Sequence, residues 1–170
     1  MMDLTDNPMR MVYDALWNML EGSTLFTTVV PRVANRIKLS DTTFVYDKDV
    51  LADADMPQVR IELVKQYPHL QATSDSSFLT QEWQIGVFTG DVRFLTLLDV
   101  NWAIYRAMMG WETYLKNTLE WESKTFVELC RPLEIIETLS DAKFSYGNRG
   151  WIAVWRGEVR MHFTTSDVTE

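Results

Sequence analysis

The stretch Trp151-Ile152-Ala153-Val154-Trp155-Arg156-Gly157-Glu158-Val159-Arg160-Met161-His162-Phe163 decides the fold. Every odd position is apolar or glycine: Trp151, Ala153, Trp155, Gly157, Val159, Met161 and Phe163. From Arg156 onward the even positions are polar: Arg156, Glu158, Arg160 and His162. Successive side chains of a strand point to opposite faces, so this period of two predicts a long β-strand with one buried face. Nothing in the stretch suggests catalysis, and a long structural strand turns attention to assembly.

The chain has 170 residues, which predicts one domain over 1–170 with a sizeable core. Hydrophobic residues make up 46% and charged residues 24%, as in an ordinary soluble globular protein. Seven Trp, six Tyr and eight Phe are many for this length. A monomer must bury such rings in its core, whereas an oligomer also buries them between subunits. A net charge of -8 argues against a protein that grips phosphate backbones, though not against a surface past which DNA slides. Cys130 is the only cysteine, so no intrachain disulfide forms, which fits a reducing compartment. The start Met-Met-Asp-Leu-Thr-Asp-Asn-Pro lacks the pattern of a signal peptide. No apolar run reaches the roughly 18 residues of a membrane span. The expectation is a soluble protein made in the cytoplasm, without membrane contact.

Along the chain, Asn7-Pro8 opens a helix: Asn7 caps free N–H groups and Pro8 fits the first turn. Met9, Val12, Leu16 and Met19 recur at helical spacing. Gly22 is expected to end the helix in a left-handed conformation. Ser23 caps a short turn that Pro31 stops. Arg36 to Val45 holds a short strand at Ile37 and Leu39. Tyr46 to Met56, with four aspartates, reads as a solvated loop. Gln58 to Gln66 alternates as a strand and Pro68 ends it. Residues 67–78 then form a loop, mobile from Gln71 to Ser77, before a second strand, Leu79 to Thr89, with Trp83, Ile85 and Val87 on one face.

Asp91 is the expected cap of a second long helix. It carries two apolar stripes. Leu95, Leu98, Trp102, Tyr105 and Met109 form one; Phe94, Leu97, Ile104 and Met108 form the other, about 100° round the helix. Either the helix is wedged between a sheet and the first helix, or part of the arc meets another subunit. Residues 110–124 resist assignment and read as an insertion, like 46–57 and 67–78. Thr125 to Thr138 looks extended, with Pro132 calling for an edge position or bulge.

Chemistry is hard to place. His69 and His162 lie far apart in sequence, with no supporting cysteine for a metal site. Asp47, Asp49, Asp53 and Asp55 lack the central Gly and final Glu of a calcium loop. Phosphate-binding, dinucleotide and nucleophile-elbow motifs are missing. Cys130 reads as a buried structural thiol. Glu112, Glu120, Glu122, Glu134 and Glu137 read as solvated charge. The expectation is no catalytic residue, no cofactor and no metal.

Three segments carry a resemblance. Asn7 to Leu20, Trp83 to Met109, and Gly150 to Thr165 resemble the opening helix, the middle strand and helix, and the closing strand of bacteriophage tail terminator (tail-completion) proteins. Together they cover about half the chain. The extra residues around 46–56 and 110–124 depart from a compact member of that family and suit a related neck component as well. The resemblance implies an α+β subunit, with an antiparallel or mixed sheet of about four to five strands and two main helices on one face. It also implies assembly into a ring, usually a hexamer, that caps the tail tube, stops its growth and meets the head connector. The implied partners are copies of itself, the tube protein and connector or neck proteins, with DNA passing through without specific binding.

Two alternatives stand beside this expectation. One is another head–tail joining protein, such as a stopper that binds the portal side. The other is a small-molecule or enzyme domain in which Trp83, Trp102 and Trp155 line an apolar pocket. Candidate contact residues are Tyr67 and Phe78 in the loop, Phe94, Leu97 and Ile104 on the second helix, and Trp111 and Trp121 in the unassigned segment. Convergent polar groups in a deep cavity favour the pocket; a filled core with aromatics on two opposite flanks favours the ring.

Overall fold

A computed structural model describes residues 7–32, 36–37, 57–69, 76–90, 94–121, 124–143 and 149–164. In chain order the elements are α1 (Pro8–Glu21), α2 (Thr24–Val29), β1 (Arg36–Ile37), β2 (Gln58–His69), β3 (Ser76–Gly90), α3 (Phe94–Met108), α4 (Trp111–Thr118), β4 (Glu120–Trp121), β5 (Lys124–Thr125), β6 (Val127–Lys143) and β7 (Arg149–Thr164). The fold is α+β. Its main sheet runs β1-β2-β3-β7-β6, parallel between β1 and β2 and antiparallel elsewhere; β4 and β5 form a separate small hairpin.

β7 sits between β3 and β6, so the alternating stretch lies inside the sheet. Ala153, Trp155, Gly157, Val159 and Met161 are buried, while Trp151 and Phe163 are half-buried. Opposite them on β3 stand Val87, Ile85, Trp83, Gln81 and Leu79, all buried. β2 adds Val59 and Ile61 to this inner face. Leu63, opposite Trp83, is exposed, and the register of β2 shifts between it and Lys65.

The helices cover this inner face. α3 lies on β3 and β7, α1 and α2 lie against α3, and α4 packs on β6 and α1. Val12, Leu16 and Leu20 of α1, Phe26 and Val30 at α2, and Leu115 of α4 are essentially without exposure. Fully burying a side chain of this size contributes about 1.5–3 kcal/mol. Cys130 on β6 lies in the same core.

Local signals explain the helix ends. Asn7 accepts from the Met9 N–H at 2.9 Å, with Pro8 in the first turn. Ser23 accepts from the Phe26 N–H at 3.2 Å, so α2 is a capped helix. Gly22 is not left-handed as expected: its φ is -72°, and its N–H donates to the Asn18 carbonyl at 2.9 Å. A Cβ there would meet the Asn18 oxygen at 3.0 Å, so close approach favours glycine at this position, not the sign of φ. Gly110, with φ 78°, is the residue that does need left-handed freedom, at the turn between α3 and α4.

Two expected insertions contain described helix or strand. The segment 67–78 is not one mobile loop: β2 runs through Pro68 to His69 and β3 begins at Ser76, leaving 70–75 outside the described residues. β1 pairs only with Val59 and Arg60, so Pro68 lies on an edge stretch of β2 where a missing N–H is tolerated. The segment 110–124 holds α4 and the first strand of the small hairpin. Pro132 does fall on the edge strand β6, within a register shift between Arg131 and Glu134. The Asp91 cap, the aspartate-rich loop and residues 38–56 lie outside the described residues.

Candidate assembly surfaces

On α3, packing separates the two stripes in a way that reverses part of the expectation. Leu97, Val100, Ala103 and Ile104 are at 0% exposure in the core, with Met108 beside them. Leu97 and Ile104 therefore belong to the core and cannot form a surface contact. The other stripe is the exposed one: Leu95 at 74%, Leu98 at 47%, Trp102 at 54%, Tyr105 at 48% and Met109 at 57%. Phe94, 41% exposed, lies at its start and meets the Trp151 ring at 4.6 Å. Trp102 and Tyr105 stack on each other at 5.6 Å on the outside. Asn101 is buried as well, and accepts a hydrogen bond from the Trp155 indole at 3.0 Å.

The opposite flank is the outer face of the sheet, over which no described helix packs. Cross-strand pairs organise it. Arg156 meets Glu82 at 3.1 Å, Arg160 meets Glu128 at 3.2 Å and Arg131 meets Glu158 at 3.5 Å. Gln84 bridges Arg156 and Glu62. Half-exposed aromatics sit among these charges. Phe78 stacks on His162 at 4.6 Å with Arg160 over its ring at 4.2 Å, Arg60 lies over Phe88, and Lys65 over Tyr67. Tyr67 donates to Glu158 at 3.2 Å. Burial, and next the adjacent Glu158 carboxylate, raise its phenol above the usual range and keep it a neutral donor. Tyr67 and Phe78 are thus strand residues of this face, not loop residues.

The described charges of this face are Arg60, Lys65, Arg131, Arg156 and Arg160 against Glu62, Glu82, Glu128 and Glu158. These described charges nearly cancel. Exposed pairs of this kind add little stability. Their effect is to leave the arginines already engaged.

The remaining candidates are structural. Trp111, 3% exposed, is a core residue of α4. Trp121 is half-buried, edge-on to Phe163 at 5.6 Å. Trp83, Trp102 and Trp155 do not line one pocket: Trp83 is buried against Tyr13, and Trp102 is outside. A shallow cavity of about 270 Å³ between the end of α3 and the start of α4 includes Trp155, Met108, Met109 and Glu112. Burial pushes the Cys130 thiol up to about 12, which leaves it protonated and a poor nucleophile. Among the described residues, no three His, Cys, Asp or Glu side chains come together as metal ligands.

Sequence reasoning missed Arg36. Its side chain is 7% exposed and donates to the carbonyls of Val30 at 2.6 Å, Thr27 at 3.0 Å and Pro31 at 3.2 Å, and to Glu21 at 3.2 Å. It caps the C-terminal end of α2 and ties β1 to the helical layer. No local pattern signals such a role, because its acceptors are set by the tertiary fold. Asn101 did leave a trace, as a polar residue on an otherwise apolar side of α3.

The sequence matches no protein-family profile and no curated protein. Among solved structures, a chain of "Virion of native gene transfer agent (GTA) particle" is similar over 87% of this chain and 93% of that chain, with 12% identity and a TM-score of 0.49. At that score the likeness decides neither fold nor function. No helix of the described residues is long and apolar enough to cross a membrane.

Proposed function

We propose that this protein is a phage-type virion structural subunit without enzymatic activity, acting as a tail terminator. Copies form a ring, six-fold by the resemblance of its sequence segments, that caps the tail tube and meets the head connector. One observation carries the reading: apolar and aromatic side chains reach the surface on two flanks of a buried core, exposed along α3 and half-buried on the outer sheet face. A subunit that must contact neighbours on both sides needs such flanks, and an enzyme with one deep pocket does not. Arg131, Arg156 and Arg160 are held in ion pairs and offer phosphates little grip, which suits a ring that DNA passes without binding.

The test is to add purified protein to assembling tail tubes and view both by electron microscopy. The expected result is rings at tube ends and tubes of fixed length. Protein that binds no tube and forms no ring in any mixture overturns the reading; binding to portal complexes alone replaces it with a stopper.

A further inference from the structure

We propose that the exposed face of α3 pairs with α3 of a second copy of this chain, antiparallel, about a two-fold axis at Trp102. Its five residues follow the three-four spacing of a coiled-coil seam: Leu95, Leu98, Trp102, Tyr105, Met109. All five are between 47% and 74% exposed, on a helix already held in place by its buried side. Little ordering entropy therefore opposes pairing, although the seam spans only two heptads.

The direction follows from charge. Asp99 and Arg106 are exposed, one heptad apart, along the same flank of the seam. In an antiparallel pair that flank runs beside itself in the opposite sense. Asp99 then faces Arg106 of the partner subunit, twice by symmetry, and Trp102 meets its own copy at the axis. Leu95 falls opposite Met109 of the partner subunit. A parallel pair sets the same flank against Phe94, Asn101 and Met108, which offer no charge. Arg106 already lies over the Trp102 ring at 5.8 Å, beside the proposed axis.

Area supports the same occupant. Taking the roughly 150–250 Å² of a large side chain, the exposed fractions of the seam and Phe94 amount to about 600 Å². With Asp99 and Arg106 on the rim, the face approaches the ~800 Å² per partner of a standard interface. This pairing takes up one of the two flanks on which the ring reading draws. A two-fold contact closes on itself, so a ring requires another surface, such as the outer sheet face.

Sedimentation equilibrium of the full chain tests this. The wild-type protein is expected to be a reversible dimer. Asp99→Arg or Arg106→Asp raises its dissociation constant about tenfold, since each removes both symmetry-related pairs. The double variant with both changes restores it. Under oxidation Trp102→Cys is expected to cross-link to itself, and Leu95→Cys only to Met109→Cys; Cys130, being buried, takes no part. A wild-type protein that stays monomeric at its highest soluble concentration overturns the proposal. So does a double variant no better than the single ones, or a Leu95→Cys protein that cross-links to itself. If rings and tube binding fail while the charge exchange restores the dimer, this pairing stands and the terminator reading falls.

Discussion

Truncating Leu97 and Leu95 to alanine separates the two sides of α3. The residues are two apart and chemically identical, yet Leu97 is at 0% exposure and Leu95 at 74%. Leu97→Ala removes buried carbons and leaves a cavity under the helix, a change that costs about 3–5 kcal/mol at fully buried leucines. Leu95→Ala removes carbons that already face water, so within one subunit it shifts stability by at most about 0.5 kcal/mol. For a chain of this size each kcal/mol moves the melting temperature by roughly 2–4 °C. Leu97→Ala should therefore melt at least ~6 °C lower, and Leu95→Ala within ~2 °C of the parent. The assay is thermal unfolding followed by circular dichroism, at concentrations low enough that copies do not associate. Equal shifts, or a larger one for Leu95, refute the assigned orientation of α3. By the same reasoning, Phe94→Asp combined with Leu97→Asp is expected to unfold the protein, because a carboxylate at Leu97 has no solvent. That pair reports on the core and not on assembly.

Arg36→Met should cost about 3 kcal/mol, since it strands buried carbonyls and Glu21; Arg36→Lys, keeping charge but not the planar fork, should fall between in urea denaturation. Asn101→Leu leaves the Trp155 N–H without its acceptor and should cost about 1–3 kcal/mol. In a double-mutant cycle much of that loss should disappear when Trp155 is already Phe. The Cys130 thiol, pushed up to about 12 from an ordinary 9.0, stays protonated in the native state and ionises in the unfolded one above pH 9. Folded protein thus holds the proton that unfolded protein releases, so this group's contribution to stability is full below pH 9 and is lost as the pH rises towards 12. At pH 8 the native thiol should resist iodoacetamide and react only on unfolding, as read by mass spectrometry; rapid native labelling contradicts the assignment.

Much of the architecture was legible in the chain because it depends on local rules. Alternation from Trp151 to Phe163 marked β7, and Asn7 with Pro8 marked the start of α1. Pro68 misled because a proline is a break only where its N–H is needed, and an edge stretch of β2 does not need it. α4 was hidden because Trp111, Tyr114 and Leu115 stand among charges over a short run, and a positive φ at Gly110 is not visible in sequence. The two stripes of α3 are equally apolar, so hydrophobicity alone could not say which one faces the sheet. Asn101, a polar residue among the buried positions of α3 that bonds to Trp155 of β7, was the available clue. Arg36 depends on acceptors brought together by folding and left no trace.

The central claim is that the outward stripe of α3 is an assembly contact. Light scattering of the wild-type protein and of Trp102→Lys, across a concentration series, tests it most directly. Trp102 is 54% exposed, so the variant should keep its circular dichroism and melting temperature at low concentration. The expected result is a wild-type mass that rises with concentration above one subunit and a variant that remains at one. A monomeric wild-type protein, or a variant that associates as strongly as the wild type, contradicts it.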